Sequence, residues 1–229
     1  NKINKYNETG SYLENTLTQS YQRIGIEREL SFLLRGYTTF NNTDYALLYK
    51  SEPEGHFVGF EIDGEIGSLN IYNEIAYLWG TDKITMPGSY QGNLLKNYFM
   101  NVLGINYRFK NNLQITVEHL FNGLGDSSNL DASDIRYKNG LNKSLNEHVT
   151  GISLNYEFNP LLIGKYDSKI AWQDSSHQHN ITLIKSITDN LDFILGSQIN
   201  IGDRPSGSNW QNPNIQSEFG RQNNKYFFQ

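Results

Sequence analysis

Four carboxylates crowd one short stretch, HFVGFEIDGEIGSLNIYNEIAYLW (residues 56–79): Glu61, Asp63 and Glu65 at alternate positions, and Glu74 beyond a Gly67-Ser68 pair. If the two halves pair across a two-residue turn, Glu61 faces Glu74 with Cβ atoms ~4.5–5.5 Å apart. Carboxylates that close can share a proton, or act as the acid and nucleophile of a glycosidase. The competing reading is a water-washed wall where acids meet bases from neighbouring strands. That wall takes in Arg23, Arg35, Glu61, Asp63, Glu65, Glu74, Arg108, Glu118, Glu157, Lys165, Asp167, Lys169 and Asp192, with Glu27 and Glu29 in the same phase. It needs only solvation and ion pairing, and we favour it over catalysis, so no enzymatic activity is expected.

Other chemistry is thinly represented. There is no cysteine, hence no disulfide framework and no thiolate metal site. Of the five histidines, His119 falls in phase with apolar residues, His56 and His148 begin strands, and His177 and His179 are expected in a short loop. Asp174, Ser175, Ser176 and His177 adjoin in sequence, but a nucleophile, base and acid must converge in space. The two imidazoles of HQH lack a third ligand, so no metal or other cofactor is expected. GDSSNLDASD (125–134) offers oxygen ligands without EF-hand spacing and reads as a solvated loop. GDRPSGSNW (202–210) reads as a turn-rich loop, with no following helix to cradle a phosphate.

The elements carrying these residues alternate at period two, and no stretch has helical period. Strands are expected near 22–38, 56–66, 69–79, 98–109, 113–122, 149–158, 162–173, 180–187, 191–201 and 223–229, with a fainter one near 11–20. Connections alternate in length. Gly67-Ser68, Lys110–Asn112, Asn159–Leu161 and Thr188–Asn190 are tight turns, whereas about 39–55, 80–97, 123–147 and 203–222 are long and polar. The break near 174–179 is the short exception. With no linker, residues 1–229 read as one all-β domain.

A soluble barrel or sandwich would bury the apolar face, and a membrane barrel would turn it to lipid. Three features favour lipid. The strands exceed the ~5–6 residues usual in soluble sheets. Aromatics gather at both ends of the apolar face: Tyr77, Trp79, Phe99, Phe121 and Trp172 at one, Tyr107, Phe109, Tyr156, Phe158 and Phe193 at the other. Phe99 to Phe109 spans ~33 Å of strand, or ~25 Å along the normal at a tilt near 40°, the height of an apolar band. Third, acids and bases lie mid-strand on the other face, as a wet lumen permits. We expect a transmembrane antiparallel up-and-down β-barrel, or the C-terminal portion of a larger one. A net charge of −5 argues against nucleic acid as a partner. The opening NKINKYNETG lacks an initiator Met and a signal-peptide pattern, and reads as a mature or truncated chain.

The run VGFEIDGEIGSLNIYNEIAYLWG, with VLGINYRFKNNLQITVEHLFNG and ISLNYEFNPLL, resembles the C-terminal part of Gram-negative outer-membrane porin-like barrels, of uncharacterised or alginate-export-like families. The resemblance covers most of 20–229 and is architectural. It implies a bacterial outer-membrane location, contact with lipopolysaccharide and phospholipid, and passage of small polar solutes or an exported polymer. A scaffold barrel within a larger envelope complex, joined by other envelope proteins or further barrel strands, is the alternative, and an outer-membrane hydrolase the third. The acid excess on the polar face would favour cations.

Overall fold

The computed structural model describes residues 31–52, 55–80, 97–126, 128, 130–138, 142–206 and 214–229. Eleven strands among them form one antiparallel sheet in which every sequence neighbour is a spatial neighbour. They are β1 (Phe32–Phe40), β2 (Thr43–Glu52), β3 (Gly55–Ile66), β4 (Leu69–Gly80), β5 (Tyr98–Arg108) and β6 (Leu113–Asn122), followed by β7 (His148–Asn159), β8 (Leu162–Ala171), β9 (Ser176–Thr188), β10 (Leu191–Ile201) and β11 (Lys225–Phe228). Among the described residues one helix, α1 (Leu130–Lys138), lies between β6 and β7. Among the described residues the sheet is not closed: β1 and β11 are each bonded to one neighbour.

Turn chemistry sets the register. Asn41 and Asn42 both have positive φ, 50° and 59°, as a two-residue type I′ turn requires, and join β1 to β2. Gly67, at φ 65°, opens the β3–β4 turn, so that Ile66 pairs with Leu69 and Glu61 with Glu74. Because side chains alternate, this register puts each apolar set on one face throughout.

Several boundaries differ from the sequence reading. The strand expected over 22–38 is observed as Phe32–Phe40, its first part lying outside the described residues, as does the expected strand near 11–20. The polar segment expected over 39–55 holds a tight turn and the strand β2. Strand β9 also begins earlier than expected, at Ser176, so His177 and His179 belong to a strand and not to a loop.

The two faces differ sharply. On one, Phe60, Ile66, Trp79, Leu103, Ile105 and Leu195 stay exposed. The other is roofed between β4 and β10 by the β6–β7 and β10–β11 connections; we call it the capped face. Fully buried side chains concentrate beneath and within this roof: Leu124, Leu145, Asn122, Asn146, Ser133, Ser176 and Ser217. Most are polar, so the interior is held by hydrogen bonds more than by apolar packing. No helix among the described residues is long and apolar enough to cross a membrane.

Candidate functional site: the capped face

Register places all the described members of the acid-and-base set on the capped face, in strands β1, β3–β8 and β10. Arg23 lies outside the described residues. Arg35 reaches diagonally across β2 to Glu61, with Nη2 2.6 Å from Oε2. Asp63 accepts a hydrogen bond from Asn70, and Asp167 accepts one from Ser153 Oγ at 2.7 Å. Arg108 and Glu157 approach only to 4.0 Å. Glu74 faces Glu61 but makes no ion pair among the described residues, so Arg35 satisfies one acid of the pair. Glu65 and Asp192 lie toward the tight turns, and Lys165 and Lys169 alternate with Asp167 along β8.

Glycines shape the middle of this face. Tyr72 lies over Gly104, its direct cross-strand partner, where an added Cβ would run into the ring. From there the Tyr72 hydroxyl donates to Glu118 on the next strand. Gly151, the partner of Glu118 on its other side, has nothing within 4 Å of the position a Cβ would take. Phe227 covers Gly196 in the same way that Tyr72 covers Gly104.

The sequence makes 125–134 a solvated loop, and the structure corrects this: the stretch runs into α1, with Ser133 and Asp134 buried in the roof. Glu218 is 6% exposed, and its Oε2 accepts from Ser144 Oγ (2.6 Å), the amides of Leu145 and Asn146 (both 3.1 Å) and Asn146 Nδ2 (3.0 Å). Four donors compensate a buried carboxylate that lacks a basic partner in this cluster. Asp134, within the stretch read as a solvated loop, is buried on α1 and ion-paired with Arg221 and Lys138. Arg221 also lies over the Tyr137 ring at 4.7 Å. Asp174 ties the β8–β9 turn to both connections, accepting from Asn146 Nδ2 and the Glu218 amide at 2.7 Å each. Asp174 and Ser176 are thus consumed by structure, since Ser176 Oγ takes the Phe219 amide. His177 pairs with Ile170 on the opposite, bare face, so no nucleophile–base–acid set forms there.

Between roof and sheet is a cavity of about 630 Å³, lined by Tyr72, Glu74, Glu118, Lys169 and Gln178 from the strands and by Tyr137, Lys143, Glu218 and Arg221 from the roof. A second space of about 490 Å³ adjoins it, sharing Glu74, Val102 and Lys143. Sequence periodicity located the strand residues other than Gln178 but gave no signal for the roof, whose Lys143, Glu218 and Arg221 come from irregular segments. Among the described residues no three His, Cys, Asp or Glu side chains converge as a metal site. No protein-family model, curated protein or solved structure matches this chain.

Proposed function

We propose that the sheet is the wall of an outer-membrane β-barrel, apolar face to lipid and capped face to a water-filled lumen, passing small polar solutes. The carrying observation is the inversion of faces. Large apolar side chains are left exposed on nine of the eleven strands, while the buried residues are mostly polar, the reverse of a water-soluble fold. Ring pairs mark both ends of the apolar face: Tyr77–Trp79 and Phe99–Phe121 at one, Tyr107–Phe109 and Tyr156–Phe158 at the other. Such girdles suit the two interfaces of a bilayer, with lipopolysaccharide and phospholipid as the surrounding partners.

In this reading the roof is a constriction folded into the lumen from the end bearing the long connections. Conductance of the purified protein in planar bilayers tests it. Discrete steps in KCl, with a reversal potential in a salt gradient showing cation preference, are expected, since the described wall set has eight acids against four bases. Absence of any conductance overturns the channel. It favours instead a plugged scaffold barrel docked to other envelope proteins, the reading that the buried polar knot of the roof supports.

A further inference from the structure

One row of residues runs level across the capped face: Tyr72, Gly104, Glu118, Gly151, Lys169, Gln178 and Asn200, each the direct cross-strand partner of the next. Only two of its positions lack side chains, and they differ. The gap at Gly104 is filled by the Tyr72 ring; the gap at Gly151 is open. Adjacent strands lie ~4.8 Å apart, so the backbones of Glu118 and Lys169 are separated by ~9.6 Å across Gly151. Acid and base do not close on each other, because Tyr72 holds the Glu118 carboxylate from the β4 side. Both side chains, with Gly151, line the 630 Å³ cavity, a volume in the range that holds small molecules.

We propose that Glu118, Gly151 and Lys169 form a slot for a small zwitterion, an α-amino acid or a short peptide. The ligand ammonium donates to the Glu118 carboxylate, the ligand carboxylate accepts from the Lys169 ammonium, and the body between them lies over Gly151. A plain cation would meet Lys169 and the nearby Lys143, and a plain anion would meet Glu118 and Glu74, all four lining the same cavity. Only a ligand carrying both charges satisfies both walls. This deepens the channel reading and rests on it for the ligand's route of entry.

Glycylglycine is the probe, titrated into the full chain folded in detergent micelles, with calorimetry as readout and bilayer current as a second measurement. Saturable binding is expected, with N-acetylglycine and glycinamide, which keep one charge each, bound far more weakly. Glu118→Gln and Lys169→Met should each weaken binding about tenfold or more, the loss of one charge-assisted hydrogen bond. Gly151→Val should weaken it by filling the gap, with circular dichroism and heat-modifiable gel migration reporting whether each variant folds. No binding, or equal binding of the singly charged analogues, overturns the slot. So does undiminished binding by folded Glu118→Gln and Lys169→Met. Conductance without glycylglycine binding removes the slot and keeps the channel; binding without conductance removes the channel and keeps the slot.

Discussion

Glu61 and Glu74 show what a single turn can and cannot reveal. Their opposition follows from counting back from Gly67-Ser68, and the observed register agrees. Which of them gains a base was not legible, because Arg35 reaches Glu61 across β2, a strand hidden in a stretch read as loop. That pair is half exposed, so Glu61→Gln should change unfolding free energy by less than about 1 kcal/mol while lowering cation preference. Guanidinium titration in micelles and reversal potentials check the two parts. The glycines diverge more. Gly104→Ala drives a methyl into the Tyr72 ring and breaks its bond to Glu118, and should cost about 1–3 kcal/mol. Gly151→Ala meets open space and should stay within about 0.5 kcal/mol. Equal midpoints for the two variants would show that Tyr72 does not occupy its place over Gly104. Nothing in the sequence separates these glycines, since both fall in the polar phase of strands of the same kind, Gly104 with Asn106 and Arg108 and Gly151 with Ser153, Asn155 and Glu157.

The missed elements share one physical cause: residues standing where simple periodicity assigns the opposite polarity. In β2, Ala46 and Leu48 occupy the capped face beside Asp44 and Lys50, which blurs the alternation of Tyr45, Leu47 and Tyr49. In β9, His177 and His179 hold the bare-face phase, so the start of that strand read as loop. The tyrosine hydroxyl of Tyr166, 2.9 Å from His179 Nδ1, meets that polarity locally. In the roof, polar side chains bond one another instead of water, and composition alone cannot tell these cases apart. The Asp134–Arg221 pair is the joint between α1 and the β10–β11 connection, with side-chain exposures of 5% and 14%. Arg221→Ala leaves a buried carboxylate with Lys138 alone, a loss of about 3–5 kcal/mol to the joint. Trypsin should then cut at Lys138 or Lys143 much faster than in the wild type, while heat-modifiable migration of the sheet persists. Unchanged cleavage would mean that the Glu218 knot holds the roof without that joint.

At the scale of the whole molecule, the direction of the edge strands decides how the sheet can close. Up-and-down order makes odd-numbered strands run one way, so β1 and β11 are parallel to each other and cannot pair as antiparallel neighbours. Antiparallel closure therefore takes an odd number of further strands between them, giving the even total usual in bacterial barrels. Among the described residues both edges also carry exposed rings: Tyr37 of β1 is 81% exposed and Phe228 of β11 is 82% exposed. An open edge in lipid would leave a row of unpaired amides and carbonyls, each costly without water. The folded protein in micelles should accordingly protect the β1 amides that point away from β2 from hydrogen exchange, as strongly as those within β5. Native mass spectrometry of the same sample distinguishes the source, with a monomer assigning the closing strand to this chain and a higher mass assigning it to another. Rapid exchange along that side of β1 would mean that the sheet stays open, and an open sheet cannot wall a membrane channel.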